Sequence, residues 1–353
     1  MTPHLTVLDS LNNGLHQALA ADRRVILIGE DLLDPYGGAF KVSRGLSSAY
    51  PEQVWSSPIS EAGIVGIAAG MALRGFLPVV EIMFGDFLTL AADQIINHIT
   101  KFSWMYSGNK SQAEQVHVPL VIRTPMGGRR GYGPTHSQTL EKLYLGTPGL
   151  RVVAPTNLVM NETGAPGAIL AQAILKDLEP VLFVENKLLY LMPVQTPEML
   201  TEWEVAQSTP SSEPAYPAYL VRLAGAPPPQ ITLTAYGYMA ELARLAQYRL
   251  AYENEVFVEL VIPTQLSPFD AAPVLESLQR TGRLLTVEEG NLTLGWGAEI
   301  LARAAETRGA GLKAAGRLAA LDLPIPASGP LEMAVLPGMQ QIIEKCLDLI
   351  QTR

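Results

Sequence analysis

Apolar positions along the chain fall into two alternating kinds of run. Short β-branched or Leu-rich stretches at Val25–Ile28, Pro78–Ile82, Leu120–Arg123, Val152–Ala154 and Val181–Val184 are each closed by Gly, Pro or a charged residue, and predict buried strands. Between them, Glu61–Arg74, Asp86–Tyr106 and Asn157–Lys176 carry apolar residues at helical spacing. This alternation predicts right-handed βαβ units on a largely parallel sheet. The pattern breaks after Tyr190. Residues 195–229, with STPSSEPAYPAY and AGAPPPQ, are dense in Pro and Ser and predict a linker. A second alternation follows: strands Ile231–Tyr236, Val256–Val261 and Leu284–Val287, and helices Met239–Ala251, Ala271–Thr281 and Trp296–Thr307. An amphipathic helix near Met339–Gln351 closes the chain. The expected fold class is α/β, with two domains at 1–194 and 230–353, each a mainly parallel sheet flanked by helices. No short-period repeat is visible, which argues against solenoids and propellers.

A length of 353 residues agrees with two domains. Hydrophobic residues make up 48% and charged residues 17%, with a mean hydropathy of +0.17. Either a large Ala-, Leu- and Val-rich core accounts for this, or other subunits cover apolar surface. A net charge of −9 argues against a nucleic-acid partner held by phosphate neutralisation, and no Lys/Arg block points to a membrane surface. One cysteine, Cys346, leaves no disulfide framework or cysteine metal site, which suits a reducing cytosol. The first residues lack a basic segment followed by an apolar one, and carry Asp9 and Asp22. The longest apolar stretch, around Gly63–Leu73, falls short of the roughly 18 residues of a spanning helix. The expectation is a soluble, cytoplasmic protein.

Two segments carry candidate chemistry. In VWSSPISEAGIVGIAAGMALR, Ser60 and Glu61 open a helix lined by Ala62, Gly63, Gly66, Ala68, Ala69 and Gly70. Glu61 is either a charge well placed on the helix dipole or a functional carboxyl beside a surface that a flat ligand can approach closely. In the second segment a strand ends at Arg123, a Gly-rich loop follows, and His136 is expected to open the next helix. That placement puts a neutral, proton-relaying imidazole at the carboxyl edge of a parallel sheet; the alternative is a His that only orders the loop. The loop fits neither the Rossmann fingerprint nor the Walker lysine loop. Arg129 and Arg130 either grip an anionic substrate group or are simply solvated.

Read in order, ILIGEDL, PYGGAFKVSRGL, PISEAGIVGIAAGMALRG, PVVEIMFGDF, AADQIINHITK, PLVIR, THSQ, TPGLRVVAPTN and PVLFVENKLLY resemble the pyrimidine-binding domain of the β subunits of pyruvate and branched-chain 2-oxo acid dehydrogenases. LSPFD, TGRLLTVEEGN and GWGAEI resemble the transketolase C-terminal-type domain of the same thiamine-diphosphate family. The resemblance implies that Glu61 hydrogen-bonds a ring nitrogen of the aminopyrimidine and favours the tautomer that removes the thiazolium proton. It places Met83 and Phe87 beside the pyrimidine ring, with Met83 tilting towards pyruvate-type members, and turns His136 towards the substrate. It also implies a potassium site built largely from backbone carbonyls at Leu120, Ile174, Leu175, Asp177 and Glu179. Mg²⁺ in this family is held by a Gly-Asp-Gly motif with a downstream Asn. Here the sole Gly-Asp is Gly85-Asp86, followed by Phe87. No magnesium site is therefore expected in this chain. The diphosphate and Mg²⁺ ligands should come from an α subunit, in a heterotetramer of two α and two β subunits that passes the acyl group to a lipoyl acyltransferase. Because GGRRGYGPTHSQ departs from the family's usual Gly/Ala-rich wording, a split transketolase or an acyloin-forming enzyme of a specialised pathway is the second expectation. A non-catalytic scaffold is the third, and intact Glu61 and His136 argue against it.

Overall fold

The computed structural model describes residues 5–108, 115–210 and 214–352. In the first half, α1 (Val7–Ala21) and β1 (Val25–Gly29) are followed by a one-turn α2 (Leu46–Ala49) and by β2 (Val54–Ser56). Then come α3 (Glu61–Leu73), β3 (Leu77–Glu81), α4 (Thr100–Ser107), β4 (Val121–Met126), β5 (Arg151–Val153), α5 (Pro166–Lys176) and β6 (Val181–Asn186). The second half contains β7 (Trp203–Ser208), β8 (Ala218–Leu223), β9 (Ile231–Ala235), α6 (Gly237–Asn254), β10 (Val258–Pro263) and β11 (Gln265–Ser267). It ends with α7 (Ala272–Thr281), β12 (Arg283–Asn291), α8 (Trp296–Arg308), β13 (Ala314–Ala320), α9 (Gly329–Val335) and α10 (Met339–Gln351).

The first sheet runs β11-β5-β6-β4-β3-β1-β2 and is parallel except for β11, which pairs antiparallel with β5. Its central strands β1, β3, β4 and β6 are buried almost throughout. Helices cover both faces, so their sequences read as continuous apolar runs. The second sheet runs β13-β12-β9-β10-β8-β7, parallel from β13 to β10 and antiparallel at β8 and β7. Two mainly parallel sheets flanked by helices are the expected fold class, and the halves are not separable beads. β11 belongs to the second half and completes the first sheet, while Tyr144 and Leu150 share one core cluster with Phe269, Trp296 and Ile300.

Four expectations need correction. The stretch 195–229 is not a bare linker, because β7 and β8 lie inside it and form the antiparallel edge of the second sheet. β7 alternates half-buried and exposed positions, and the short apolar run of β8, Ala218–Val221, stands among Pro and Ser residues of the sequence. The helix expected at Asp86–Tyr106 is a 3₁₀ turn at Gly85–Ala91, a π-helical stretch at Gln94–Ile99 and α4. At the π-to-α junction the Thr100 N–H reaches Ile95 O, five residues back, while the Thr100 hydroxyl takes Ile96 O. The helix expected from Asn157 starts only at Pro166, whose fixed φ suits a first helical position; before it, Leu158 bridges to Gln195 and Asn161 caps a short turn. Finally, no helix opens at His136, which lies in a turn closed by its N–H on Gly133 O. The dipole argument for a neutral imidazole therefore has no helix behind it.

The seam between the halves holds buried carboxyls. Glu288 on β12 accepts the Trp296 and Gly297 N–H groups that start α8, at 2.7 and 2.8 Å. Burial first, and the neighbouring Glu141 second among the groups that raise it, push its carboxyl up to about 7, against the pull of those N–H groups and Arg317. Glu141 is itself buried and bonded by the Tyr236 hydroxyl. A folded-state value above that of the unfolded chain means that the Glu288 contribution is complete below the ordinary glutamate range and is lost as pH rises through about 7. Calorimetric Tm is expected to fall between pH 5 and pH 8, with a shallower fall in Glu288→Gln. An equally steep fall in the variant would assign the pH dependence elsewhere.

Candidate active site

Glu61 is the first residue of α3 and only 6% exposed. Its N-cap Ser60 makes no side-chain capping bond, and among the described residues the Glu61 carboxyl has no hydrogen-bond partner. Beside it stands Glu30, directly after β1 and 5% exposed, with Oε1 unpartnered. Burial, and then the Glu61 charge, raise the Glu30 carboxyl, with Ser60 N–H opposing. Both carboxyls sit at the carboxyl edge of the parallel sheet, the side on which α/β folds bind ligands. The start of α3 beside them exposes Ala62 and Gly63, leaving room for a flat ring.

The segment after β3 supplies aromatic walls. Met83 and Phe87 are half-buried. Phe84 and Phe87 meet edge-on, and the His136 ring stands 4.7 Å from Phe84 and 5.2 Å from Phe87, both edge-to-face. THSQ and EIMFGDF, far apart in sequence, thus form one constellation. His136 Nδ1 lies 2.9 Å from the Thr135 hydroxyl. Beneath the loop, Lys187 is fully buried and donates to His136 O; its ammonium lies 5.2 Å from the Phe84 ring and 5.4 Å from the Tyr132 ring. Burial pulls the Lys187 amine down to about 8, with Asp86 and Glu289 opposing. Asp86, raised by burial, accepts Gln138 Nε2 at 3.1 Å and keeps Oδ2 unpartnered.

The two loop arginines part ways. Arg130 is exposed, 5.9 Å from the Tyr132 ring, and near enough to Lys187 to lower its amine. Arg129 points to the second half: its guanidinium donates to Pro337 O and meets Met333 Sδ at 3.0 Å. The potassium positions gather at the opposite end of the sheet. There Leu120 O accepts Val181 N–H, and the Asp177 carboxylate is occupied by Arg151 at 2.6 Å, Tyr216 at 3.0 Å and Glu179 N–H at 3.1 Å. Backbone carbonyls at the end of α5 are left for a cation. Among the described residues no group of three or more His, Cys, Asp or Glu could hold a metal ion, and no helix is long and apolar enough to cross a membrane.

Glu30, Asp86 and Lys187 were not singled out from the sequence. Their signal was positional: a charged residue just beyond a buried strand or its turn faces the sheet's ligand edge. A cleft of about 480 Å³ lies between Leu145–Leu150, Leu266–Phe269 and Trp296–Arg303, and contains neither Glu61 nor His136. Glu61 and His136 thus stand at an open face rather than in a closed pocket.

Residues 4–192 match the family model "Transketolase, pyrimidine binding domain", and residues 225–342 match "Transketolase, C-terminal domain". Over 96% of this chain and 87% of the relative, the sequence is 35% identical to the mitochondrial pyruvate dehydrogenase E1 component subunit beta-1 of Arabidopsis thaliana. The chain belongs to the β-subunit family of the 2-oxo acid dehydrogenases. Branched-chain members are similar too. The 3-methyl-2-oxobutanoate dehydrogenase subunit beta of Mycobacterium tuberculosis (strain ATCC 25618 / H37Rv) is 31% identical over 99% of this chain and 93% of its own. The β-subunit fold also superposes on a solved structure titled "Split gene transketolase, inactive beta4 tetramer", with a TM-score of 0.71, 16% identity and 99% coverage of both chains.

Proposed function

We propose that this chain is the β half of a thiamine-diphosphate-dependent 2-oxo acid dehydrogenase of pyruvate or branched-chain type. One observation carries the reading: Glu61, with no hydrogen bond among the described residues, stands beside Glu30 at the sheet's ligand edge, on the same chain as an aromatic-walled His136. Glu61, Met83 and Phe87 would hold the pyrimidine end of the cofactor. Thiamine diphosphate bound there supplies the electron sink for decarboxylation. Glu61 would hydrogen-bond a pyrimidine ring nitrogen of the bound cofactor, with the Glu30 carboxyl beside it. Phe84 and Phe87 exclude water from the imidazole, which hydrogen-bonds the substrate and relays its proton. Arg130, on the same face, is the cation available to an anionic substrate group; Arg129, engaged by α9, is not.

The site is open on one side, and apolar side chains stand exposed on and around α3 and the segment after β3: Ile59 at 81%, Ile67 at 59% and Leu90 at 60%. Helix α3, apolar on its outer face as well as its inner one, is of the kind that is normally covered. This supports a partner subunit that closes the site; an α subunit bringing the diphosphate and Mg²⁺ ligands, with two copies of each subunit in the cytoplasm, is the proposed assembly. Carbonyls at Leu120, Ile174, Leu175, Asp177 and Glu179 are the proposed potassium ligands, and a lipoyl acyltransferase is the proposed acceptor.

The test is co-production with an α subunit that carries Gly-Asp-Gly, followed by thiamine-diphosphate titration and acyl transfer to lipoamide from pyruvate and from branched 2-oxo acids. Cofactor binding with lipoamide acylation is the expected result. Ketol transfer between sugar phosphates without lipoamide acylation would replace this reading with the split-transketolase one, for which the exposed Arg130 is the supporting feature.

A further inference from the structure

Two carboxylates of the second half are spent on the loop that leads to His136. Glu289, on β12, accepts Gly128 N–H on Oε1 at 2.6 Å and Asn186 Nδ2 on Oε2 at 3.1 Å. Glu332, on α9, accepts Arg129 N–H on Oε1 at 2.7 Å and Gly131 N–H on Oε2 at 3.2 Å. Both are buried, at 5% and 2% exposure.

The loop is shaped to receive them. Gly127, Arg129, Gly131 and Gly133 all have φ between 65° and 99°, and conformations of this kind turn neighbouring amide N–H groups into an anion-binding concavity. Gly128 is where the carboxylates come closest: a Cβ there would lie 2.7 Å from Leu336 Cδ1 and 3.1 Å from Glu332 Oε1. Arg129 is a non-glycine in the left-handed region, a conformation that persists where the surroundings enforce it. Here its N–H is held by Glu332 and its guanidinium by Pro337 O. At the far end of the same loop, Lys187 holds His136 O, and Gln138 Nε2 bonds Pro134 O at 2.8 Å.

We infer that Glu289 and Glu332 are positioning residues for His136: the second half of the chain grips the loop as a bound anion would, and thereby sets where the imidazole stands relative to the substrate. This rests on the reading of His136 as the substrate-facing group. The C-terminal half then has a part in turnover as well as in folding, and Arg129 is part of the grip rather than a substrate ligand.

The experiment uses the assembled α and β subunits with Glu289→Ala, Glu332→Ala and, as a control, His136→Ala. Amide hydrogen exchange over 127–138 and the separate kcat and KM for the 2-oxo acid are measured on each. Each N–H to carboxylate bond is worth about tenfold or more in the opening equilibrium. Faster exchange of the loop by about that factor is expected, together with a fall of about tenfold in kcat and unchanged thiamine-diphosphate affinity. Glu332→Gln keeps an acceptor for Arg129 N–H and should restore most of both losses. If Glu332→Ala does not assemble, Glu332→Asp keeps the charge but shortens the reach, and must show the same paired loss in smaller measure. Faster exchange with native kcat, in an enzyme that His136→Ala cripples, overturns the inference; so does unchanged exchange. A harmless His136→Ala overturns the reading of His136 itself, and the two failures are thereby told apart.

Discussion

Glu61→Ala is expected to lower kcat of the assembled enzyme by about 10²- to 10⁴-fold, the range supplied by a positioned proton-transfer group. No structural collapse is expected. Glu61 makes no hydrogen bond among the described residues and its charge raises the neighbouring Glu30 carboxyl, so no hydrogen bond of those residues is lost with it. Removing it relieves the Coulombic repulsion that helps to raise Glu30. Tm of the variant should therefore equal or exceed that of the native protein while turnover is lost, the usual signature of a functional group held at a cost. Calorimetry and steady-state kinetics on the same preparation decide it. Native turnover in Glu61→Ala would end the proposed mechanism, and a large fall in Tm would make Glu61 a structural residue instead.

Arg123→Met is expected to have the opposite profile, a stability loss of about 3–5 kcal/mol. Arg123 on β4 is 1% exposed and bonds Glu185 through Nε at 2.7 Å and Nη2 at 2.6 Å, while Nη1 donates to Glu81. The Tyr190 and Ser43 hydroxyls complete the two carboxylates. Burial raises Glu81 even against the pull of Arg123, so desolvation already dominates at this site. Methionine matches the stem but leaves two buried carboxyls facing each other without a cation. Those groups can be neutralised by protonation. The loss should thus be larger at pH 8 than at pH 5.5, and Glu81→Gln should recover part of it. Urea melts at both pH values test this. Because Glu81 ends β3 just before Met83 and Phe87, turnover should fall with stability. A loss independent of pH would remove the buried-charge explanation.

How much of this was readable from the chain differs by element. The central strands were legible as continuous apolar runs, and α3, α6, α7, α8 and α10 because their burial follows the helical period. β7 was not, because an edge strand with alternating half-buried and exposed residues resembles a polar loop. The helix after Asp86 was misread because apolar spacing cannot distinguish α from the 3₁₀ and π turns that occupy 85–99. Glu61 and His136 stood out through their motifs. Lys187, Glu289 and Glu332 did not, since their significance lies in backbone groups 51 to 203 residues away.

Glu61 shows where the division falls. Sequence alone determined the α/β class, the family, the presence of Glu61 and His136, and the lack of a Gly-Asp-Gly motif, because each is a property of residue type and short-range order. Tertiary structure alone decided that Glu61 pairs with Glu30, that Arg129 belongs to the second half while Arg130 remains near Lys187 and Tyr132, and that His136 lies in a clamped turn rather than at a helix start. Those outcomes depend on which strand ends meet at one sheet edge and on which carboxylates are left to satisfy buried amides. Such competition is settled only when the whole chain is packed.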